Sequence, residues 1–448
     1  MNNHKLTSAE YLFVGSMLFG MLFGAGNLIF PVHMGQLAGA HFWSANIGFI
    51  ATGVLMPFLA LIAFGLSGSG SLEELAGNVH PVFARVFTVL LYLTIGPAFA
   101  LPRTATVSYQ IGIVPFVGEN QTLILAGFTF LFMAVALLFS LKPSKLVVYI
   151  GKFLNPVFLA FLAILVAVAL VHPMGSIAGS LPQGDYVDHA FLTGFKEGYN
   201  TMDVLAMLAF SVVVINTLKD LGVRDVATIS VDLLKVGVIV VFLMSLIYTL
   251  ITWLGTSSLG QLAVSANGGI ALAQIAHGYF GPVGGMLLAA IVTFACLKTA
   301  IGLITACANT FQELFPGTLG YKAYCVVFAG ISFLIGNVGL TQIIVLAVPI
   351  LMFLYPMAIT LILSSFASSL LGKDRRLYRW PMVLAGVAAF GDALSVLPKG
   401  LQGTAPVQAL LGCYHQLPLF SLGMSWLLPT LAALAAAAAA VKLSGGKQ

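Results

Sequence analysis

Apolar runs of about 20 residues, each long enough to cross roughly 30 Å of hydrocarbon, recur along the whole chain and are separated by short polar stretches. Twelve such runs predict helices, near 10–32, 43–66, 83–112, 120–141, 147–171, 190–217, 228–254, 283–312, 322–337, 341–370, 380–397 and 420–441. The pattern specifies an all-α integral membrane protein, because a helix satisfies its own backbone polar groups in lipid. Two runs are interrupted. The first carries Phe23-Gly24-Ala25-Gly26-Asn27-Leu28-Ile29-Phe30-Pro31, and the sixth carries Gly198-Tyr199-Asn200-Thr201-Met202-Asp203. Gly and Asn weaken a helix, and backbone groups left unpaired at mid-membrane depth need a polar partner. A bound ion or solute would serve. The alternative is that Gly24 and Gly26 only let helices pack closely, a role that requires neither Asn27 nor Pro31.

Five crossings lie between one interruption and the other, an odd number. Two five-helix units beginning at these breaks would enter the membrane from opposite sides, which is inverted-repeat topology. Interrupted segments at matching positions of two inverted halves point to a solute site at the midplane.

Composition agrees with the pattern: 60% of the 448 residues are hydrophobic, 7% are charged, and the mean hydropathy is +1.04. A soluble domain is excluded. The sequence pI near 9.0 invites a nucleic-acid partner, but the cations lie elsewhere. With the N-terminus inside, fifteen of nineteen Lys and Arg residues face the cytoplasm, among them Lys5, Arg85, Lys142, Lys219, Arg224, Arg376, Lys442 and Lys447, while Lys196 and Lys399 face outward. This positive-inside bias places both termini in the cytoplasm. The first apolar run is longer than a signal h-region and reads as a retained helix. The four cysteines form no CxxC pair and the eight histidines no HExxH spacing, so neither a disulfide framework nor a metalloenzyme is indicated.

Ionisable groups inside predicted spans are few, and each costs roughly 2.5 to 3.5 kcal/mol at a helix centre on insertion scales. Four stand out: Arg103, Asp203, Lys298 and Asp392. Arg103 either pairs with Asp203 or Glu197 or faces a vestibule for an anionic group. Asp203 either ligates a cation or ammonium or partners a basic residue. Asp392 lies outside both repeats, which favours a structural role.

These residues carry a resemblance. The chain resembles the branched-chain amino acid:cation symporter family of bacteria, the BrnQ-type carriers, through Phe23 to Pro31, Gly96-Pro97, Pro102 to Ser108, Gly198-Tyr199 with Thr201-Met202-Asp203, Ser265 to Gly268, and Ala295-Cys296-Leu297 with Thr299-Ala300. The resemblance implies uptake of leucine, isoleucine and valine driven by a cation gradient. It also implies the five-plus-five inverted-repeat (LeuT-like) fold with helices 1 and 6 broken and two further C-terminal helices. The corresponding units are 1–180, 181–372 and 373–448. The localisation implied is the bacterial cytoplasmic membrane, with lipid and a small amino acid as partners and no nucleic acid or obligatory protein partner.

For a zwitterion with an aliphatic tail, amides of Gly24, Ala25 and Gly26, aided by the half-helix dipole, suit the carboxylate. Carbonyls near Leu22 and from Tyr199 to Thr201 suit the ammonium. An apolar wall is expected from Met202, Leu205 or Met207, with Asn27 and Asp203 beside the break. By the same resemblance a sodium ion lies between carbonyls of Gly20 and Phe23 and the hydroxyl of Thr299. Lys298 departs from that pattern. Its ammonium offers a built-in replacement for the ion and a route to proton coupling, or it snorkels away from the site. No resident cofactor is expected beyond Na+ or H+ as coupling ion.

An ion channel, the remote alternative, needs a continuous polar lining, whereas the polar groups here gather at one depth. An enzyme needs a reactive constellation, and Ser108, Ser211 and Ser332 have no histidine partner within the membrane.

Overall fold

The computed structural model describes residues 5–118, 121–141, 145–223 and 225–445, and every regular element among them is helical. A capping box opens the first helix. Thr7 Oγ1 accepts the Glu10 N–H at 3.3 Å while the Glu10 carboxylate accepts the Thr7 N–H at 2.7 Å, satisfying donors that a helix start leaves unpaired. Helix α1 (Ser8–Leu22) stops before Phe23, and α2 (Gly26–Ala38) resumes beyond Ala25. Gly39, with φ of 50°, then turns the chain. Helices α3 (Phe42–Ile50) and α4 (Met56–Ser67) are joined by the π-helical turn Ala51–Leu55, and the short α5 (Leu72–Gly77) follows. Helices α6 (Pro81–Leu93) and α7 (Ala100–Gly112) meet at a second wide turn, Thr94–Ala98, where Pro97 has no N–H to donate and Gly96 leaves helical geometry.

Helices α8 (Gln121–Leu141) and α9 (Lys145–Val171) lead to α10 (Tyr186–Glu197) and α11 (Asp203–Asp220). This last pair is bent by 46° across the 3-10 turn Gly198–Thr201. Met202 sits at the corner with φ of 63°, a left-handed conformation that costs a non-glycine residue on the order of 1 kcal/mol. Helix α12 (Val226–Ser258) precedes α13 (Gly268–Leu314), which Gly281 divides with φ of 61° and ψ of −158°. Helices α14 (Tyr321–Gly336), α15 (Leu340–Leu371) and α16 (Arg376–Ser395) follow, then the short α17 (Lys399–Gln402) and α18 (Ala405–Tyr414), and finally α19 (Leu427–Gly445).

Small residues set the packing. Helix α2 lies on α12 and α10 lies on α3, each contact made by a reciprocal pair of glycines. A Cβ at Gly35 or Gly255 would overlap the Thr252 or Val32 carbonyl, and one at Gly48 or Gly194 the Phe191 or Ala45 carbonyl. Such approach lets side-chain hydroxyls bond across the interface, as Thr256 Oγ1 does to the Gly35 carbonyl at 2.7 Å. At the C-terminal end, Asp392 is fully buried and its carboxylate accepts the Ser425 N–H at 3.0 Å, tying α16 to the approach to α19.

Length and hydropathy single out seven membrane-crossing helical runs among the described residues, or eight when the bent α10 and α11 pair is one span. The expected twelve are not all recovered by that measure. Ser8–Leu22, Leu159–Val171 and Tyr321–Gly336 are apolar but short, and the run Gly26–Ser67 contains the turn at Gly39. Helical pieces without a counterpart in the hydropathy reading include α5, the start of α13 before Gly281, and α17 with α18. Lys142, Arg224 and Lys447, counted among the cytoplasmic cations, lie outside the described residues.

The glycine contacts make a definite prediction. Gly255→Val should lower the melting temperature of the detergent-purified protein by an amount equivalent to about 1 to 3 kcal/mol, whereas Gly285→Ala, where an added Cβ meets nothing within 4 Å, should leave it unchanged.

Candidate functional site

The two interrupted segments meet in the interior. Asn27, in the first turn of α2, donates from Nδ2 to Asp203 Oδ2 at 2.8 Å, and Asp203 is the first residue of α11. Tyr248 of α12 joins both: its hydroxyl donates to Asp203 Oδ2 at 2.8 Å and accepts from Asn27 Nδ2. All three side chains are buried. The other end of the Asn27 amide closes the gap in the first segment, since Oδ1 accepts the Gly24 N–H at 2.8 Å. The amides of Ala25 and Gly26 stand at the start of α2, where N–H groups have no helical acceptor.

The second break is stitched in the same way. Thr201 Oγ1 donates to the Gly198 carbonyl at 2.9 Å and accepts the Asp203 N–H at 3.3 Å, while the Met202 N–H reaches the Tyr199 carbonyl at 3.0 Å. The Asn200 carbonyl accepts from Arg103 Nη1 at 2.6 Å. Arg103 therefore does not form the expected ion pair. It makes no salt bridge with Asp203 or Glu197 among the described residues; it bonds the backbone of the break and lies 5.0 Å from the Phe30 ring centroid. Arg103 comes from α7 beneath the turn, whereas Glu197 ends α10 on a cavity beyond it.

Gly26 is what admits the guanidinium, because a Cβ there would lie 2.8 Å from Arg103 Nη2. Gly24 is roomier, with Thr299 Oγ1 3.7 Å from the place a Cβ would occupy. Thr299 Oγ1 itself donates to the Ala295 carbonyl at 3.1 Å, and Lys298 Nζ donates to the Gly20 carbonyl at 3.1 Å.

Phe23, Gly24 and Ala25 line a small space of about 10 Å³, enough for a single water, together with Phe19, Leu28 and, from α13, Val292, Ala295 and Cys296. The apolar wall expected from α11 is not the one found here. Leu22 and Met207 face a separate apolar crevice against α4 and α12, and Met202 and Leu205 are buried in the core. Tyr199 points to the other side of the break and stacks on Tyr355, with ring centroids 4.4 Å apart. Sequence reasoning missed Tyr248, Val292 and Ala295. Tyr248 had no distinguishing signal, since its run also carries Ser245, Thr249 and Thr252, and nothing in the sequence says which helix face each occupies.

The architecture is a helical membrane fold known from solved structures. It is shared with the inward-facing conformation of Mhp1, at a TM-score of 0.61 and 15% identity over 98% of this chain and 91% of that one. It is shared also with MhsT in complex with L-phenylalanine, at a TM-score of 0.53 and 14% identity over 98% and 100%. Residues 7–444 match the family described as branched-chain amino acid transport protein. Two permeases named BrnQ are close in sequence: that of Lactobacillus delbrueckii subsp. lactis is 44% identical over 95% of both chains, and that of Bacillus subtilis 42% identical over 96% of both. The chain belongs to the branched-chain amino acid transport protein family, whose matched members are permeases and carriers rather than enzymes, and it is a multi-pass membrane protein.

The Asn27 amide serves both breaks at once, and its loss should exceed that of either partner. Asn27→Leu strips a donor from Asp203 and an acceptor from the Gly24 N–H and should cost about 3 kcal/mol or more, whereas Tyr248→Phe removes one donor and should cost about 1 to 2 kcal/mol. Thermal unfolding of the purified proteins compares them, and equal losses would contradict the bridging role.

Proposed function

We propose that this chain imports the branched-chain amino acids leucine, isoleucine and valine by cation symport, through alternating access about the two breaks. The observation that carries the reading is the bond from Asn27 to Asp203, which joins the ends of two interrupted segments 176 residues apart. Around that point lie groups suited to a zwitterion: amides at the start of α2, carbonyls of the second break, and an aliphatic lining of Leu28, Val292 and Ala295. Leucine, isoleucine and valine differ by methylenes or branch positions worth about 1 to 3 kcal/mol in such a lining, so one site accepts all three.

The proposed architecture is twelve spans in the bacterial cytoplasmic membrane, with both termini cytoplasmic, arranged as two inverted five-helix units and a C-terminal pair. Packing supports the inverted units, because exchanging the first helices of one unit with those of the other returns contacts that are present. The contact of α1 with α12 has its mate in α10 with α3, α2 with α12 in α11 with α4, and α9 with α13 in α15 with α7. Gly24, Gly26 and Gly198 border the moving parts. In the closed arrangement the released backbone groups are held by Asn27, Arg103 and Thr201, and substrate binding exchanges some of these internal bonds for its own.

Two couplings remain in play. The first sets a sodium ion against the carbonyls of Gly20 and Phe23 and the hydroxyl of Thr299. The second is favoured by one observation, that Lys298 Nζ sits 3.1 Å from the Gly20 carbonyl: the ammonium fills the cation's place and couples uptake to protons.

Reconstituted liposomes given a sodium gradient or a pH gradient separately distinguish them. On the second reading, labelled leucine uptake follows the pH gradient in the native protein and becomes sodium-dependent in Lys298→Thr; complete sodium dependence of the native protein rejects it. Separately, Gly26→Val displaces the Arg103 guanidinium and should abolish leucine binding at the breaks while the protein still inserts, so an unchanged number of bound leucine equivalents in an equilibrium binding assay would reject the assigned site.

A further inference from the structure

The largest cavity described lies outside the site at the breaks. It encloses about 470 Å³, within the range of about 300 to 1,000 Å³ that small-molecule sites occupy. Its floor is the second break, Tyr199 and Asn200, and its walls come from α10, α15 and the segment joining α16 to α19. None of Asn27, Asp203 and Tyr248 lines it.

Its chemistry is mixed in a particular way. Lys196 and Glu197, adjacent at the end of α10, present one charge of each sign, and Asp185 adds a second carboxylate at the rim. Opposite them α15 offers Val348, Leu351 and Met352. Lys196 lies against the turn at Gly423, where φ is 64° and an added Cβ would crowd Met352 Cε at 2.9 Å. A simple anion is opposed by the two carboxylates, and a simple cation by the lysine. A solute carrying both charges and an apolar tail satisfies all three walls.

We propose that this cavity is a second, outer binding site for aliphatic zwitterionic amino acids, with Lys196 on the carboxylate, Glu197 on the ammonium and the α15 residues on the side chain. It rests on the import reading above, which makes the cavity the first station on the solute's route. The two stations share a partition. Asn200 lines the cavity with its side of the turn, while its carbonyl on the other side holds Arg103, so an occupant above bears on the contact that closes the site below.

Equilibrium binding of radiolabelled leucine to the full-length protein in nanodiscs tests this by stoichiometry. The native protein is expected to bind a second equivalent beyond the central one. Lys196→Gln should weaken that equivalent roughly tenfold or more and leave the other unchanged. Val348→Trp, which fills the cavity without removing a charge, should abolish it, and Gly26→Val should remove the central equivalent and spare the outer one. A single equivalent in the native protein, lost in Gly26→Val and intact in Lys196→Gln and Val348→Trp, overturns the outer site while sustaining the central one. Two equivalents that persist in both Lys196→Gln and Val348→Trp also overturn it. Loss of the outer equivalent alone in those variants, with no change on Gly26→Val, upholds the outer site and rejects the central assignment.

Discussion

The constraint on which this structure depends is that a backbone polar group inside a bilayer must have a partner, since an unpaired one costs several kcal/mol. Interrupting two membrane helices releases such groups at the worst depth. The chain meets the cost with side chains, two from within the broken segments, Asn27 Oδ1 to the Gly24 amide and Thr201 to the Gly198 carbonyl, and two from other helices, Arg103 to the Asn200 carbonyl and Lys298 to the Gly20 carbonyl. These four bonds explain why polar and charged residues appear in spans that are otherwise apolar.

The same bonds make the breaks exchangeable rather than permanently sealed. A backbone carbonyl held by a guanidinium or an ammonium is one that another ammonium can address, and an amide held by a side-chain oxygen is one that a carboxylate can take. Tight glycine contacts between α2 and α12 and between α3 and α10 hold the helices around the breaks close together. Met202, held left-handed at the corner of α10 and α11, stores a little strain at the same place.

The C-terminal segment has a role that the repeat architecture alone does not suggest. Asp392 ties α16 to the approach to α19 through the Ser425 amide, and the segment beyond α16 closes the wall of the large cavity with Phe420, Ser421 and Gly423. A buried acid of the C-terminal segment thus holds the rim of a compartment whose floor is the second break.

Much of this was legible in the residues. The two glycine- and asparagine-bearing interruptions, the membrane class and the small set of intramembrane charges all follow from local rules: helix propensity, hydropathy and the cost of burying charge. Asn27, Asp203 and Arg103 were identifiable because a polar residue in an apolar run is anomalous wherever it lies. What they touch was not identifiable. Whether Arg103 faces Asp203, Glu197 or the Asn200 carbonyl is decided by how α7 crosses under the second break, and that Tyr248 completes the cluster is decided by the rotation of α12. The apolar lining shows the same division: the sequence offers many aliphatic residues, Leu205 among them, but only packing of α13 against the first break sets Val292 beside Gly24. The sequence by itself determined where the helices weaken and what kinds of group are available there; the tertiary structure decided which group satisfies which, because hydrogen bonds across a membrane protein depend on helix rotation and crossing, quantities that no local pattern encodes.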